Sequence, residues 1–202
     1  MPSNNNLEQQ SLPLLSKATG EAILKTTPMF QQFMKVKAEN EDCLLFFRMG
    51  DFYELFFEDA VIAAKELDIA LTSRGQYDGK PVPMCGVPYH SYMPYLEKLT
   101  KKNYKIAVCE QVESPKDAKI RGGYKAIVQR EVVRIVTPGT LTEEVLLEAD
   151  KNNFLLCISY SKNNIGLSWI DISTGEIYSE LCSKNNFLTS ISRVRPKEIL
   201  AI

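Results

Sequence analysis

The stretch that decides the fold is GDFYELFFEDA, from Gly50 to Ala60, which directly follows the apolar run CLLFFRM. It combines one glycine, four aromatic residues and four acids in eleven positions. A buried element rarely contains so many acids, and a solvated loop rarely contains so many aromatic rings. The apolar run predicts a buried strand that ends at Gly50. The apolar spacing after it predicts a helix from about Tyr53, with Phe56 in its buried stripe.

The residues around this stretch alternate between helical and extended patterns. Thr27 and Pro28 form a helix-start signal before one apolar face. Ser91 is the predicted cap of a helix over SYMPYLEKLTKKN, and SPKDAKIRGGYKA is predicted to be a mobile basic loop. Further strands are predicted for IALTSR, ending at Gly75, and for YKIAVCEQV and REVVRIV. VPMCGVP is predicted to be extended and broken by prolines. The pattern therefore predicts an α/β unit.

The pattern changes after the turn TPGT at residues 137–140. The segment LTEEVLLEADKNN predicts a short acidic helix or linker, and three strands, a helix and a final strand then predict a second α/β unit. We expect a disordered lead-in over 1–20, a first domain over 21–138, a linker over 139–151 and a truncated second domain over 152–202. Because the chain stops on an apolar strand, we expect it to be part of a longer protein.

The composition excludes several classes of protein. The 202 residues are 45% hydrophobic and 24% charged, which is typical of a soluble globular protein. No apolar run has the length of a membrane span, and the N-terminus lacks the features of a secretory signal. The five cysteines are scattered and form no CxxC pair. This indicates reduced thiols in a cytoplasmic protein rather than a disulfide framework or a zinc site.

The net charge of −1 hides an uneven distribution. Residues 1–97 carry 8 Lys or Arg and 13 Asp or Glu, whereas residues 98–134 carry 10 Lys or Arg and 4 acids. A basic block of this kind can bind a polyanion. The alternative is a solvated surface with unevenly spread lysines, and the basic loop 116–125 is open to both interpretations.

The motifs that would indicate catalysis are missing from the sequence. His90 is the single histidine, which excludes a site or relay with several histidines. The segment GQYDGKP is one residue shorter than a phosphate-binding loop, and Pro81 occupies its Ser/Thr position. Asp171 lies in a predicted strand where an RNase H-type nuclease would carry a metal ligand, but two-metal chemistry needs several clustered carboxylates. We predict no catalytic residue and no metal site.

Three interpretations of the opening stretch remain open from the residues alone. Phe52 lies one helical turn before Phe56 and would then extend the core stripe. The aromatic residues could instead form a patch that binds a partner protein. In the third interpretation, a ring at a strand-to-helix turn enters DNA between base pairs, unstacks them and kinks the duplex. The acid two residues further on would then contact a base edge.

Several blocks, taken in order, carry a resemblance to a known family. RMGDFYELFFEDA is followed by LDIALTSRG, PVPMCGVPYHS, YLEKL, AVCEQV and REVVRIVTPGT. Over about residues 26–202 these blocks and their spacing resemble the N-terminal end of the MutS family of DNA mismatch repair proteins. The resemblance implies an α/β (α+β) fold with a mixed-sheet mismatch-binding domain and flanking helices. A partial connector domain would follow, RNase H-like in fold but not a nuclease.

The family's mismatch-recognition motif, Phe-x-Glu, falls on Phe52, Tyr53 and Glu54. The resemblance implies that Phe52 enters the duplex from the minor groove as a wedge, and that Glu54 hydrogen-bonds a displaced base. If Glu54 is buried near phosphates, its pKa should rise and the bonded form should be the protonated acid. We expect further DNA contacts from Arg74, Met49, Met84 and His90.

The resemblance also implies partners and cofactors. The expected partner is double-stranded DNA with mispairs or small loops, and a MutL-type repair protein is a candidate partner of the connector. We expect a homodimer for the full-length protein, no membrane, and a cytoplasmic location that is nucleoid-associated when DNA is bound. ATP and Mg are expected only in the family's ATPase domain, so no cofactor is expected in this chain. The alternative function is a connector-type protein-interaction module with Phe52 in the core; exposure of the Phe52 ring would distinguish the two.

Overall fold

The computed structural model of the chain describes residues 27–142 and 151–201. Its helices are α1 (Pro28–Ala38), α2 (Phe57–Leu67), α3 (Met93–Thr100), α4 (Pro115–Gly122) and α5 (Phe187–Val194). Its strands are β1 (Cys43–Met49), β2 (Phe52–Phe56), β3 (Thr72–Tyr77), β4 (Lys80–Pro88), β5 (Lys105–Gln111), β6 (Arg130–Val136), β7 (Phe154–Tyr160), β8 (Asn164–Asp171), β9 (Glu176–Ser183) and β10 (Glu198–Ala201). Short 3-10 helices follow β4 and α4.

The first six strands form a mixed sheet in the order β3-β4-β2-β1-β5-β6. Strands β1 and β5 run parallel, and the other neighbouring strands run antiparallel. Helix α1 covers one face, where it packs on Phe47 and Phe56, and helices α2 and α3 cover the other face, where they pack on Tyr53 and Leu55. This mixed sheet with flanking helices confirms the predicted fold class.

The prediction of a helix from about Tyr53 is wrong. Tyr53 to Phe56 belong to strand β2, and α2 begins at Phe57 with no loop between them. Phe57 has a φ of +55°, in the left-handed region that bulky side chains rarely adopt. Its ring contacts those of Phe30 and Tyr77 at centroid distances of 6.1 and 5.6 Å. These contacts hold the abrupt change from strand to helix, which no spacing of apolar residues announces.

Three other local predictions are also wrong. Helix α3 begins after Tyr92 without a side-chain cap, so Ser91 is not its cap. The segment predicted to be a mobile basic loop contains helix α4, because Ser114 and Asp117 form a capping box at its start. Strand β3 does not end at Gly75 but continues to Tyr77. In the last two cases a charge run or a glycine suggested an interruption that hydrogen bonding in the fold removes.

The last four strands form a second mixed sheet in the order β10-β7-β8-β9, with β10 parallel to β7. Helix α5 packs on one face through Val194, against a cluster that includes Leu156, Leu167 and Trp169. The predicted strands and helix of this unit are confirmed. The predicted lead-in over 1–20 and residues 143–150 of the predicted acidic segment lie outside the described residues.

A buried ion pair ties α1 to α2 and to the sheet. Lys37 Nζ donates to Asp59 Oδ1 at 3.0 Å, and the main-chain N–H of Leu45 donates to Asp59 Oδ2 at 3.0 Å.

All five cysteines are free. None of the helices in the described ranges has the length and apolar character needed to span a bilayer.

Candidate nucleic-acid interface

A two-residue turn at Gly50 and Asp51 joins β1 to β2 and forms the tip of a hairpin. Gly50 has a φ of +61°, and a Cβ there would meet nothing within 4 Å. The turn therefore needs glycine for its backbone conformation rather than for space. Met49 and Phe52 are the residue pair that closes the turn. The main-chain N–H of Tyr89 donates to the Asp51 carbonyl at 2.8 Å, which anchors the tip to the segment after β4.

Phe52 is the residue of strand β2 whose aromatic ring the fold leaves exposed. Its surface is 48% accessible, whereas Tyr53 and Phe56 are 0% accessible. Side chains alternate along a strand, so Phe52, Glu54 and Phe56 share the α1 side of the sheet. Phe52 is the first residue of the strand, and burial begins with the residue after it. The interpretation of Phe52 as an extension of the core stripe is therefore wrong, because its ring is not buried.

The backbone of β4 passes under both residues of the Phe-x-Glu motif. Gly86 is the strand partner of Glu54, and a Cβ added at Gly86 would lie 3.9 Å from Phe52 Cδ1 and 3.8 Å from Glu54 Cγ. The two side chains thus lie over a position that carries no side chain of its own. A larger residue at position 86 would contact the ring and the carboxylate stem together.

Glu54 is a buried carboxylate paired with Arg74. It is 8% accessible, and Arg74 Nη1 donates to Glu54 Oε1 and Oε2 at 2.6 and 2.7 Å. Burial raises the pKa of the Glu54 carboxyl, and the guanidinium groups of Arg74 and Arg130 oppose part of that rise. The side chain of Arg74 remains 46% accessible. The structure thus brings together two residues that the sequence predicted as separate DNA contacts.

A β-bulge in the edge strand β3 brings Arg74 to Glu54. Between two consecutive strand pairs, β3 has two residues, Arg74 and Gly75, where β4 has one, Val82. Gly75 has a φ of +69°, and a Cβ there would lie only 3.0 Å from Phe30 Cε2. Bulges change the direction of neighbouring side chains on a sheet edge. Glycine at position 75 therefore permits the backbone path that places Arg74 beside Glu54.

The other predicted contacts lie on the same side or near the hairpin. Met49 is the strand partner of Phe52, and Met84 is the strand partner of Phe56. Both methionines are partly buried against the core under α1. His90 is exposed in a short 3-10 helix, two residues beyond the β4 residue that pairs with Phe52.

Two arginines that the sequence did not single out support the hairpin. Arg130 Nε donates to the Arg48 carbonyl at 2.6 Å, and its guanidinium lies 5.0 Å from the centroid of the Phe47 ring. The Arg48 guanidinium lies 3.1 Å from the centroid of the Tyr89 ring, and its Nε donates to the Gly50 carbonyl. A charged residue near the end of an apolar strand, two positions before a glycine turn, was the available signal for Arg48.

The basic segment over 116–125 exposes most of its side chains around α4. Arg121 is paired with Glu113 at 2.7 Å, and Lys119 Nζ lies 4.1 Å from the centroid of the Tyr124 ring, which is 91% accessible. Part of this positive charge is therefore neutralised by an acid just before the segment. Contact between the segment and DNA stays a prediction.

Asp171 has a structural role at the end of β8. Its carboxylate accepts hydrogen bonds from the N–H groups of Asn153 and Ser173 at 2.9 and 3.0 Å, and from the Ser173 hydroxyl at 2.6 Å. Within residues 27–142 and 151–201, no group of three or more His, Cys, Asp or Glu side chains could hold a metal ion. Asp171 thus satisfies backbone donors at the turn that follows its strand.

Two family models match the chain over the residues that form the two sheets. MutS domain I matches residues 27–145, which contain the first sheet, the hairpin and the pair of Glu54 with Arg74. The chain belongs to the MutS family. MutS domain II matches residues 153–201, which contain the second sheet.

Bacterial members of the MutS family are similar to the chain along most of its length. A protein named DNA mismatch repair protein MutS from Bartonella henselae is 51% identical over 202 residues, which covers 98% of the chain and 22% of that relative. Proteins of the same name from Ruegeria pomeroyi and Roseobacter denitrificans are 49% and 51% identical over 176 and 177 residues, which cover 87% and 88% of the chain. The chain spans about a fifth of the length of these curated relatives.

Proposed function

We propose that this chain recognises mispaired or unpaired bases in duplex DNA, as part of DNA mismatch repair, by inserting Phe52 as an aromatic wedge. The observation that carries the proposal is a half-exposed phenylalanine at the tip of a hairpin in which Tyr53 and Phe56 are fully buried. The hairpin is anchored through Gly50 and Asp51, so little freedom is lost when the ring is inserted. The name of the similar bacterial proteins, DNA mismatch repair protein MutS, supports the same function.

A wedge recognises mispairs through the deformability of the duplex. Mispairs differ in their hydrogen-bonding patterns, but they share weak stacking and easy bending. Unstacking a base step costs a few kcal/mol, and it costs less at a mispair. Stacking a base on an aromatic ring returns about 1–3 kcal/mol. Insertion of Phe52 is therefore favourable only where the duplex is already loosened.

Glu54 selects against intact duplex in this proposal. A carboxylate beside phosphates lowers the affinity for any DNA, so its role lies in discrimination between partners. Burial raises the pKa of the Glu54 carboxyl, so the carboxyl stays protonated up to a higher pH than an exposed glutamate does. The protonated acid donates a hydrogen bond to a base that the wedge has displaced. Intact duplex offers no displaced base and meets only the charge.

The remaining contacts surround the wedge. Arg74 is the proposed phosphate contact, because it is cationic, accessible and on the sheet edge nearest to Glu54. Met49 and Met84 present flexible apolar side chains along the face that carries Phe52, and His90 lies on the exposed turn beyond β4. These contacts follow the shape of a groove rather than a base sequence, as recognition of many different mispairs requires.

A protein-interaction module is the alternative function, and the second sheet carries the observation that favours it. Ile177, Leu181 and Leu200 are 71%, 77% and 46% accessible. Ile177 and Leu181 share one face of the edge strand β9, and neighbouring exposed apolar side chains are typical of protein contacts. In the alternative, the connector binds a MutL-type repair protein and DNA binding is secondary. The two functions are compatible in one chain, because they use different sheets.

The chain performs no catalysis in this proposal. ATP and Mg would act only in the ATPase domain of full-length MutS proteins, so no cofactor is assigned to residues 1–202. The proposed domains are a mismatch-recognition domain over 21–138, a linker over 139–151 and a connector from residue 152, after a lead-in over 1–20. The full-length protein would be a cytoplasmic homodimer that associates with the nucleoid when DNA is bound.

Fluorescence-anisotropy binding of the chain to matched and mismatched duplexes of otherwise identical sequence tests the proposal. We expect tighter binding to the mismatched duplex and weaker binding to both duplexes at the higher of two salt concentrations. Charge reversals at Lys116, Lys119 and Arg121 measure what the basic segment adds to non-specific binding. Equal affinity for the two duplexes at both salt concentrations would refute mismatch recognition by this chain.

A further inference from the structure

The pair of Glu54 and Arg74 raises a chemical question if the site binds DNA as proposed. A buried carboxylate faces an incoming polyanion, and the cation that neutralises it is also the best phosphate ligand near the hairpin. One guanidinium group cannot fully serve both anions. We propose that Arg74 is an exchangeable counter-ion, which pairs with Glu54 in the free protein and moves to a DNA phosphate when duplex binds. This inference rests on the proposed function and assigns a regulatory step to the same site.

The geometry of the pair favours exchange. Both hydrogen bonds come from a single nitrogen, Nη1 of Arg74. The strongest arginine–carboxylate pairs use two nitrogens in parallel, a fork that also fits phosphate. The Arg74 side chain is 46% accessible, whereas that of Glu54 is 11% accessible. The Arg74 guanidinium can therefore turn outwards and bind a phosphate through two nitrogens, while the Glu54 carboxylate stays in place.

The position of Arg74 in the sheet also favours exchange. Strand β3 is an edge strand, and all but the last of its residues are exposed. Arg74 lies in the bulge beside Gly75, outside the regular pairing with β4. A change in its side-chain direction therefore breaks no pairing between strands of the sheet. The bulge presents the same side chain to Glu54 on one side and to solvent on the other.

Departure of Arg74 changes the protonation of Glu54. The charged groups that face the Glu54 carboxyl are Arg74 from β3 and Arg130 from β6. Its strand partners, Phe47 on β1 and Gly86 on β4, carry no charge. Arg130 hydrogen-bonds other groups, including the Arg48 carbonyl at 2.6 Å. Without Arg74, less positive charge opposes the effect of burial, so the pKa of the Glu54 carboxyl rises further. On mismatched duplex the carboxylate then takes up one proton from solvent, and its new O–H donates to an acceptor atom of the displaced base.

The first experiment needs no DNA. The carboxyl carbon of Glu54 is titrated by NMR in the whole chain, in the unmodified protein and in Arg74→Gln. We expect the pKa of Glu54 to be higher in the variant. The matched control is Arg193→Gln, which removes an exposed arginine paired with Glu180 on the second sheet and should leave Glu54 unchanged. An unchanged Glu54 pKa in Arg74→Gln would overturn the counter-ion role.

The second experiment measures exchange on DNA. If Arg74 reaches a phosphate, Arg74→Gln should make the negative slope of log K against log salt concentration shallower by about 0.9, for matched and mismatched duplexes alike. Arg74→Lys should restore the original slope. Arg193→Gln should keep the full slope. An unchanged slope in Arg74→Gln would show that Arg74 stays on Glu54 and would overturn the exchange.

The third experiment measures proton uptake on mismatched duplex. Because the pKa of Glu54 would be higher in the complex than in the free chain, affinity should fall as pH rises between those two values, by up to tenfold per pH unit. Glu54→Gln should remove this dependence. A pH-independent affinity in the unmodified chain would overturn the proton uptake. Equal affinity for the two duplexes would instead refute mismatch recognition, which is the proposed function. In that case the titration of the Glu54 carboxyl and the salt dependence on matched duplex would still decide whether Arg74 exchanges.

Discussion

Replacing Phe52 with alanine should separate a wedge from a core residue. Full burial of a phenylalanine contributes about 1.5–3 kcal/mol, so a ring that keeps about half of its surface exposed should contribute about 1 kcal/mol. Phe52 is 48% accessible, and Phe56, on the same face of the same strand, is 0% accessible. Phe56→Ala should therefore cost about 3–5 kcal/mol of the free energy of unfolding. Urea denaturation of both variants measures this difference.

The same change should remove most of the mismatch preference. Loss of the base–aromatic stack, worth about 1–3 kcal/mol, corresponds to a roughly 5- to 150-fold weaker affinity for mismatched duplex. Affinity for matched duplex should hardly change, because the ring is not inserted there. Anisotropy titrations with the two duplexes give both values. Tyr160→Ala, which removes a 60% accessible aromatic ring from the second sheet, is the matched control and should leave both affinities unchanged.

Two results would contradict this reasoning. A folded Phe52→Ala variant with undiminished mismatch preference would show that the ring is not the wedge. A loss of stability in Phe52→Ala as large as that in Phe56→Ala would show that the exposed ring nevertheless carries core packing. In that case a weakened DNA affinity would report unfolding rather than the loss of a stack.

Three further changes test Glu54, the bulge at Gly75 and the buried ion pair that ties α1 to α2. Glu54→Gln keeps shape but removes charge, so matched duplex should bind more tightly and mismatched duplex about as well; unchanged matched affinity would count against a charged selector. Because burial raises the Glu54 pKa, the free energy of unfolding of the unmodified chain, relative to that of Glu54→Gln, should be greatest in acid and fall as pH rises through that pKa. Urea titrations at several pH values measure this difference. Gly75→Ala puts a Cβ at a φ of +69° and 3.0 Å from Phe30, so it should lower the free energy of unfolding by about 1–3 kcal/mol and weaken duplex binding. The control Gly79→Ala has a φ of +72° but open space around its Cβ, so it should cost less stability and leave binding unchanged. Lys37→Met leaves a buried carboxylate without its cation and should cost about 3–5 kcal/mol in urea denaturation, so a fully stable variant would contradict the buried pair.

Local patterns predicted most elements but could not decide the state of residues 53–56. The spacing of Phe56, Ala60, Ala63 and Leu67 fits a helix, and the alternation from Phe52 to Phe56 fits a strand. Both periods place Phe56 in the core, so the pattern itself is ambiguous. Pairing of β2 with β1 on one side and β4 on the other decides for the strand. The helix then begins one residue later, at Phe57.

The sequence by itself determined the turn at Gly50, the aromatic and acidic pair that follows it and the order of the elements, because each depends on neighbouring residues. It also determined the family, through blocks that follow one another in order from Arg48 to Thr140. The tertiary structure alone decided that Phe52 is exposed while Tyr53 is buried, and that Arg74 is the partner of Glu54. Those two charges are 20 positions apart in the chain and meet through the order β3-β4-β2 and the bulge at Gly75. Contacts of this kind depend on which strands pair and in which register, and no local spacing of residues specifies either.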